Sequence, residues 1–534
     1  MTNKKVLTGI VALAIAAGLC GCGEKKTTEV ETGEIKLTYW APNNASSSVK
    51  NYAEMAMYKE IEKATGVKVE FIHPVANQAA EQFNLMIASG EYPDMMENVS
   101  SRYQGGLVQA YEDDVIIDMT ELLEKYAPNL TSLYKEYPQV MAQTKSHDGK
   151  FFVAPLVRGG DALRSYMGLI IRQDWLDDLG LPMPETIEQW HDTLLAFKEQ
   201  KGADSPFTCE SSSFRREPFM GAFGVKNGFY IKDGKVLYGQ IQDEYKEYIK
   251  TMSQWYKEGL IDTEITLANS KIMEAKLASG AAGAYISGVG GGLGRIPSQV
   301  RAVDPAFNAV GAPYPTLNKG DKPQYVQLDP LVSTNTAISI STTNKHPEET
   351  MKWIDFMYSK EGHKLCNFGI EGESYDMVDG YPKYSDLLMN NPEGKTLSEI
   401  GLTYCRSFIS GPFVQDTRYV EQFYSNKEQT AASKLWVEQL QNASDANIYG
   451  MLTPEETEKI ASKEAELNTY VNEMYVKWLT GEESLDNFEE YKAQVEKMGY
   501  KEIAEIRQIA YDRYVAEVGD TSDLDNNVGD FFWK

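Results

Sequence analysis

Aromatic and amide side chains follow two predicted strands of this chain, at places where they could bind a ligand. The stretches 35–39 and 93–99 alternate as strands do, and the polar residues after them should lie at the carboxyl edge of the sheet, where parallel sheets bind ligands. An aromatic ring offers a flat apolar platform, and an amide both donates and accepts hydrogen bonds. The alternative for Trp40 is a core position beneath its loop. The candidates of this region are Trp40, Asn43, Asn44, Asn98 and Tyr103.

A second group of candidates follows the segment 151–157. Two arginines flank a Gly-Gly-Asp stretch, and a guanidinium group binds hydroxyls or a carboxylate through paired hydrogen bonds. Salt bridges within the protein are the alternative for both. An aromatic residue and a third arginine lie in a serine-rich loop, and a tyrosine lies in a strand that ends at Ser287. These candidates are Arg158, Arg164, Phe214, Arg215 and Tyr285.

The sequence contains none of the common motifs of hydrolases or nucleotide-binding enzymes that we searched for. The five histidines form no HExxH pair, and the chain contains neither a GxSxG elbow nor a GxxxxGK[ST] phosphate loop. The glycine run 288–294 lacks the third glycine of a dinucleotide fingerprint and is better explained as a loop before a helix. We therefore predict no catalytic residue, no metal and no cofactor.

The pattern of apolar residues in the first hundred residues predicts alternating strands and helices. Gly66 and Gly90 are typical helix stops, and Asn77 is the expected N-cap of the second helix. Strands separated by helices predict crossover units and a largely parallel sheet, which brings the first candidates to one edge. The strands are predicted at 35–39, 67–71 and 93–99.

A second block of helices and strands begins after 151–157. Thr186 and Gln189 predict a capping box at the start of one of its helices. From about residue 365 onwards the pattern is mostly helical with polar connections. The length of 534 residues is several times that of one ordinary domain, so two large lobes are expected.

The N-terminus has the pattern of a secretory signal. Lys4 and Lys5 precede an apolar run over 6–19, which is too short to span a bilayer. The following Leu-Cys-Gly-Cys matches a bacterial lipobox, which predicts cleavage before Cys22 and lipidation of that cysteine; an ordinary signal peptide is the alternative. The stretch 23–34 contains almost nothing to bury and is predicted to be a flexible linker.

Charge and cysteine content narrow the class of protein. The net charge of −26 argues against nucleic acid and against a surface that adheres to anionic lipid. Beyond the signal, the cysteines are Cys209, Cys366 and Cys405, which form no CxxC and no disulfide scaffold. Free buried thiols are expected, with a 366–405 disulfide as the alternative.

Several segments, taken in order behind the lipobox, resemble one family. The chain is similar to the extracellular solute-binding lipoproteins of ABC sugar importers (family 1, LipO/LplA-like). The resemblance runs through nearly all of the chain after the signal. The segments that carry it are 83–94, 171–181, 280–284, 339–362, 369–375 and 485–513.

The resemblance implies an α/β fold of two lobes, the type II periplasmic-binding-protein-like fold. Each lobe would be a mostly parallel sheet flanked by helices, with an extended helical C-terminal part. The implied divisions are 1–22 for the signal peptide and lipidation site, 23–34 for the linker, 35–155 and 325–365 for lobe 1, and 156–324 and 366–534 for lobe 2.

The resemblance also implies the function. The protein would capture an oligosaccharide in the cleft between its lobes and deliver it to ABC transporter permease subunits, as a monomer without enzymatic activity. The lipid on Cys22 would hold it at the outer face of the cytoplasmic membrane. Family contacts to sugar would correspond here to Glu371, Glu373 and Tyr375. The segment 197–206 is too short and too poor in carboxylates for the calcium loop of some relatives, so we predict no calcium there.

Three alternatives stay open at this point. The first is a binding lipoprotein for a non-sugar solute such as a peptide or polyamine, and the second is a secreted glycoside hydrolase, which needs two suitably spaced carboxylates. The third is a purely structural surface lipoprotein. The sugar itself is also open: a neutral plant-derived oligosaccharide is the first expectation, and a uronide, suggested by the arginines, is the second.

Overall fold

The computed structural model describes residues 35–519 and 524–534. The predicted signal peptide, the lipidation site Cys22 and the linker 23–34 lie outside the described residues. Across the described part, no helix is both long enough and apolar enough to cross a membrane.

Strands and helices are mixed in the described chain up to residue 384, and the regular elements after that residue are all helices. The strands are β1 (Ile35–Trp40), β2 (Val67–Ile72), β3 (Met95–Glu97), β4 (Ala154–Val157), β5 (Met167–Arg172), β6 (Phe207–Cys209), β7 (Phe229–Lys232), β8 (Lys235–Tyr238), β9 (Ala284–Gly288), β10 (Ala309–Gly311), β11 (Val332–Ile340), β12 (Tyr375–Val378) and β13 (Tyr381–Tyr384). The helices are α1 (Ala56–Thr65), α2 (Ala79–Ser89), α3 (Val99–Arg102), α4 (Gly106–Glu112), α5 (Thr120–Tyr126), α6 (Pro128–Glu136), α7 (Pro138–Thr144), α8 (Asp161–Arg164), α9 (Gln173–Leu179), α10 (Ile187–Lys201), α11 (Ser211–Phe214), α12 (Glu217–Met220), α13 (Asp243–Lys257), α14 (Ser270–Ala278), α15 (Ile296–Val300), α16 (Pro347–Phe356), α17 (Lys360–Phe368), α18 (Asp386–Met389), α19 (Leu397–Gly401), α20 (Thr417–Phe423), α21 (Lys427–Leu440), α22 (Pro454–Thr480), α23 (Phe488–Lys497) and α24 (Tyr500–Val518).

Local sequence signals set several helix ends. Gly66 and Gly90 end α1 and α2 in the left-handed conformation, with φ of 69° and 70°, which glycine adopts without a Cβ clash. The predicted capping box of Thr186 with Gln189 opens α10. The prediction for Asn77 was wrong: it lies in a short 3-10 turn, and α2 starts two residues later because that turn leads directly into it.

Two separate sheets organise the chain. The first has the strand order β2-β1-β3-β11-β4, and the second has the order β10-β5-β9-β6. We call the body around the first sheet the first lobe and the body around the second sheet the second lobe. Two hairpins, β7-β8 and β12-β13, stand outside both sheets.

Both sheets are mixed, which corrects the expectation of mostly parallel sheets. In the first sheet β1 is parallel to β2 and β3, whereas β11 is antiparallel to β3 and β4. In the second sheet β5 is antiparallel to β9 and β10, and only β6 pairs in parallel. The chain leaves the first sheet through β4 and returns to the same edge through β11, so β11 has to run in the opposite direction.

Each lobe has its own buried core, and the C-terminal part of the chain contributes to both. Leu402 and Phe413 pack with the first sheet, around Trp353 and Leu37. Leu467 and Trp478 of α22 and Ile503 of α24 pack with the second sheet, around Leu169 and Trp190. Residues 366–534 therefore do not pack against one sheet alone.

Three chain segments run side by side between the sheets. The Arg158 amide donates to the Leu331 carbonyl at 2.8 Å, which joins the segment after β4 to the segment before β11. The Val157 amide donates to the Phe413 carbonyl at 3.0 Å, and the Gln415 amide donates back to Val157 at 2.8 Å. We call these segments, 157–167, 325–332 and 413–417, the hinge.

The described cysteines Cys209, Cys366 and Cys405 are free and buried. Free thiols were the expected state, and the alternative 366–405 disulfide does not form.

Candidate ligand-binding cleft

The carboxyl ends of β1, β2 and β3 meet at one edge of the first sheet, as the sequence predicted. Trp40 pairs with Ile72 on one side and with Met96 on the other, so the loops after these strands start at the same level. Because the hinge leaves from the same edge, these loops face the space between the lobes.

Hydroxyl and amide groups cluster after β3. Asn98 has φ of 66°, a left-handed conformation that asparagine tolerates better than most residues, and its Nδ2 donates to the Asn335 carbonyl. The Ser100 Oγ lies 3.2 Å from the Thr334 Oγ1 and donates to the Asn335 Oδ1 at 3.0 Å. The register of β11 against β4 shifts between Ser333 and Ile338, which leaves Thr334 and Asn335 out of that pairing. Sequence reasoning found Asn98 but missed these partners.

A groove of about 890 Å³ lies beside this cluster, between the first lobe and α22. Its volume falls within the range of small-molecule sites. The first-lobe wall comes from α2 and from the segment 102–113, and the opposite wall is the N-terminal half of α22, whose buried side packs in the second lobe. The groove is lined by Phe83, Asn84, Ile87, Ala88, Arg102, Tyr103, Gln104, Gly105, Gln109, Asp113, Pro454, Thr457, Glu458, Ala461, Ser462 and Ala465.

Tyr103 is the predicted residue that lines this groove. Its hydroxyl donates to the Asp113 Oδ2 at 2.6 Å, and the Gln109 Nε2 donates to the other carboxylate oxygen at 3.0 Å. Burial and the neighbouring Asp113 carboxylate raise the pKa of Tyr103 well above its usual value, so its hydroxyl stays a donor. The ring is half-buried and forms part of the wall.

Arg158 and Arg164 belong to the hinge and are both ion-paired. The Arg158 Nη2 lies 2.9 Å from the Asp329 Oδ2, which is also 3.4 Å from the Tyr166 hydroxyl. The Arg164 side chain is 2% exposed and lies 3.0 Å from the Asp445 carboxylate. Both arginines therefore form the salt bridges that were the alternative to ligand binding, and they hold segments of the hinge together.

Arg215 lies where the second lobe meets α22. Its guanidinium carbon is 5.4 Å from the ring centre of Tyr475, and its Nη1 bonds to Asn472. The next residue, Arg216, is exposed, and its Nη1 is 4.0 Å from the Met167 sulfur at the start of β5. Sequence reasoning named Arg215 and missed Arg216.

Four predicted aromatic residues lie in cores. Trp40 is 6%, Phe214 2%, Tyr285 0% and Tyr375 2% exposed. Trp40 packs with Phe83 in a core beneath its loop, which is the alternative position that the sequence left open for it. Burial to this degree leaves little of these four rings exposed for contact with a ligand.

The remaining predicted residues lie apart from the groove wall. The Asn43 side chain holds its own loop, donating to the Val49 and Lys50 carbonyls at 3.0 and 3.1 Å, while Asn44 is exposed. Glu371 and the buried Tyr375 border a different cavity of about 700 Å³. The Glu373 side chain is exposed, and its carbonyl accepts from Ser385.

The sequence of this two-lobed chain matches one known family over more than half of its length. Residues 45–364 match the family described as bacterial extracellular solute-binding protein. This chain belongs to that family. The match confirms the resemblance noted in the sequence.

Full-length relatives of this solute-binding protein have related sequences and folds. It is 24% identical to the fructooligosaccharide ABC transporter substrate-binding protein FusA of Streptococcus pneumoniae, over 95% of this chain and 98% of FusA. It is also 24% identical to lipoprotein LipO of Bacillus subtilis, over 73% of this chain and 76% of LipO. It is 26% identical in sequence to the alginate-binding protein AlgQ2. Its fold superposes on the crystal structure of AlgQ2 without calcium ion with a TM-score of 0.74, covering 91% of this chain and all of AlgQ2. The fold is thus the predicted type II periplasmic-binding-protein-like fold.

The segment 197–206 contains no loop of carboxylates in this solute-binding protein. Gly202 ends α10 in the left-handed conformation, and β6 starts five residues later. Within residues 35–519 and 524–534, no three His, Cys, Asp or Glu side chains lie close enough together to hold a metal ion. The absence of calcium at this segment stays a prediction.

Proposed function

We propose that this protein is an extracytoplasmic lipoprotein that captures an oligosaccharide in the groove between its lobes and delivers it to ABC transporter permease subunits. The observation that carries the proposal is the groove itself. Its two walls come from side chains that pack in different lobes, so a ligand that touches both walls stabilises one relative position of the lobes. Binding and closure are then one equilibrium.

The lining of the groove suits a sugar. Tyr103 supplies a ring face, and Gln109, Ser462 and Asn84 supply hydroxyl and amide groups that hydrogen-bond to hydroxyls. Related structures support this ligand class, because FusA has been crystallised in complex with kestose. The family and these neighbours are substrate-binding proteins, which supports a binding role without catalysis.

The lobes and the anchor are part of the same proposal. The first lobe would comprise 35–155 and 325–365, and the second 156–324 with most of 366–534, joined by the hinge. The lipid on Cys22 and the linker 23–34 would hold the monomer at the outer face of the cytoplasmic membrane. The LipO relative supports the anchor by its description as a lipoprotein.

A thermal-unfolding screen of the purified full-length chain tests the ligand class. The panel holds neutral oligosaccharides such as kestose, acidic oligosaccharides, peptides, amino acids and polyamines. A ligand at about 100 times its Kd adds about 2.7 kcal/mol to the free energy of unfolding, which moves the midpoint clearly. We expect a shift with one oligosaccharide class and recovery of that sugar uncleaved. A shift with peptides or polyamines alone contradicts the proposal, and a cleaved sugar points to a hydrolase.

A further inference from the structure

The charged side chains that line the groove are two carboxylates and one guanidinium group. Asp113 lies on the first-lobe wall and Glu458 on the wall formed by α22, so each wall presents a negative charge. Arg102 is the single cation among the described lining residues, and its buried Nε has no described hydrogen-bond partner. The exposed Glu112 and Asp114 flank Asp113 in the chain. Negative charge is therefore in excess along the groove, in a chain whose net charge is −26.

Hydrogen bonds within the first-lobe wall use up donors and leave acceptors. The Tyr103 hydroxyl donates to the Asp113 Oδ2 at 2.6 Å, and the Gln109 Nε2 donates to the Asp113 Oδ1 at 3.0 Å. The Tyr103 hydroxyl oxygen, the Gln109 carbonyl oxygen and the remaining lone pairs of the Asp113 carboxylate stay available. This wall therefore offers a ligand mainly acceptors.

The α22 wall also offers mainly acceptors. Glu458 is exposed, and its carboxylate accepts no hydrogen bond and forms no ion pair within the described residues. The Ser462 hydroxyl donates to the Glu466 Oε1 at 3.2 Å, so its own oxygen remains as an acceptor. Other polar side chains of the lining can donate as well as accept, namely Asn84, Gln104 and Thr457. A ligand that satisfies both walls has to supply mostly donors.

From this excess of acceptors and of negative charge we infer that the groove selects a neutral oligosaccharide and rejects acidic ones, with Asp113 and Glu458 as the residues that set this specificity. The inference rests on the proposed function and names the sugar class for the same groove. Each hydroxyl of a neutral sugar donates one hydrogen bond, so its hydroxyls can satisfy these acceptors. A carboxylate or a sulfate ester only accepts hydrogen bonds, and closure of the lobes would bring it against a like charge on each wall, which is costly.

Calorimetric titration of the full-length chain with matched sugars tests this inference. α-1,4-Galactotriose is neutral, trigalacturonate is the same chain with carboxylates in place of the CH₂OH groups, and cellotriose with its C6-oxidised form is a second such pair. For a neutral sugar found by the wider screen, oxidation of its primary alcohols supplies the matched acid. In the pair that binds, we expect the wild type to bind the neutral sugar at least about tenfold more tightly than the acid. Added salt should narrow this difference, because it screens the repulsion.

Two variants that remove charge assign the preference to the named residues. Asp113→Asn and Glu458→Gln each keep the size of the side chain and remove one negative charge. Affinity for the acidic sugar should rise about three- to tenfold in each variant, because less charge faces its carboxylates. Affinity for the neutral sugar should fall about two- to fivefold, because an amide oxygen offers fewer acceptor positions than a carboxylate.

Glu490→Gln is the matched control for these variants. It removes the same charge from an exposed position of α23 outside the groove lining, so it should change neither affinity. Asp113, Glu458 and Glu490 are all exposed, so the three variants should fold, and their unliganded unfolding midpoints verify this.

The outcomes separate this inference from the proposed function. An acid that binds as tightly as its neutral partner, or more tightly, overturns the inference and leaves the oligosaccharide function standing; the charge of Arg102 would then dominate the groove. A neutral preference that Asp113→Asn and Glu458→Gln leave unchanged, or that Glu490→Gln changes equally, overturns the role of these two carboxylates. Absence of binding to every sugar of these pairs and of the wider screen overturns the proposed function, and the inference with it.

Discussion

A buried ion pair directly beneath the cleft edge offers the sharpest test of the energetics. The Arg406 Nη1 lies 2.7 Å from the Glu97 Oε1 and 3.0 Å from the Tyr58 hydroxyl, and its guanidinium stacks 4.6 Å from the Tyr52 ring centre. The two charged side chains are 1% and 2% exposed. Glu97 is the last residue of β3, immediately before Asn98, so this pair fixes the strand end from which the cleft loop starts.

Replacing Arg406 with Met should cost far more than a surface substitution. The change leaves the Glu97 carboxylate buried, with the Tyr39 hydroxyl as its remaining described partner. Removing one partner of a buried pair typically lowers the free energy of unfolding by about 3–5 kcal/mol. Replacing both partners removes the stranded charge, so the double variant Glu97→Met with Arg406→Met should be more stable than Arg406→Met alone.

Urea unfolding of the full-length chain measures these differences. The transition of Arg406→Met should move to lower urea with an unchanged slope. Arg301→Met is the control on an exposed arginine and should stay within about 1 kcal/mol of the wild type. A loss below about 1 kcal/mol for Arg406→Met, or a double variant less stable than Arg406→Met, refutes the reasoning.

Two further predictions concern the hinge and the C-terminal helices. A Cβ at Gly159 would lie 1.8 Å from the Gln415 carbonyl oxygen, so Gly159→Ala should push two hinge segments apart and destabilise the fold by about 1–3 kcal/mol. Gly291→Ala is the control and should be neutral, because there is open space around its Cβ. Equal unfolding midpoints for the two variants would contradict this prediction. The Arg513 guanidinium binds Glu456 in a bidentate way, 2.7 Å from both carboxylate oxygens, and lowers the pKa of Glu456 below 4.5 in the folded state. The ionised Glu456 therefore contributes to the free energy of unfolding above pH 4.5, and this contribution is lost as the pH falls below that value. Glu456→Gln should therefore weaken the loss of stability that occurs as the pH falls below about 4.5, measured by urea unfolding, and an unchanged pH profile would contradict the assignment.

Signals that act over a few residues were readable from the sequence. The glycine stops of α1 and α2 and the capping box of α10 each depend on residues within one helical turn, so their chemistry is local. The position of the carboxyl ends of β1 and β3 at one edge of the sheet was predictable, because strands joined by helical crossovers run parallel to each other. Family resemblance then supplied the two-lobed arrangement, which local patterns do not determine.

Features that depend on distant partners were not readable. Arg158 and Arg164 were candidates for ligand contacts, but their carboxylate partners Asp329 and Asp445 lie 171 and 281 residues further along the chain. Trp40 is buried because α2 covers it with Phe83, a contact that strand alternation does not predict. The direction of β11 depends on the chain returning through the hinge.

The contribution of α22 was also missed, although a signal for it exists. Its groove-facing positions at 458, 461, 462 and 465 are exposed in this protein and include two alanines and a serine, while its opposite face carries large apolar residues. A helix that carries small and polar residues on the face opposite its core-facing side can leave room for a ligand along that face.

Blocking the groove tests most directly whether it is the binding site. Ala461 lines it and is exposed, so Ala461→Trp should fill the groove without disturbing a core, whereas Lys459→Trp adds the same ring at an exposed position outside the lining. Calorimetric titration with the oligosaccharide that gives the largest thermal shift should show binding weakened by about 100-fold or more in Ala461→Trp and unchanged in Lys459→Trp. Wild-type affinity in a correctly folded Ala461→Trp variant would place the sugar elsewhere and contradict the account.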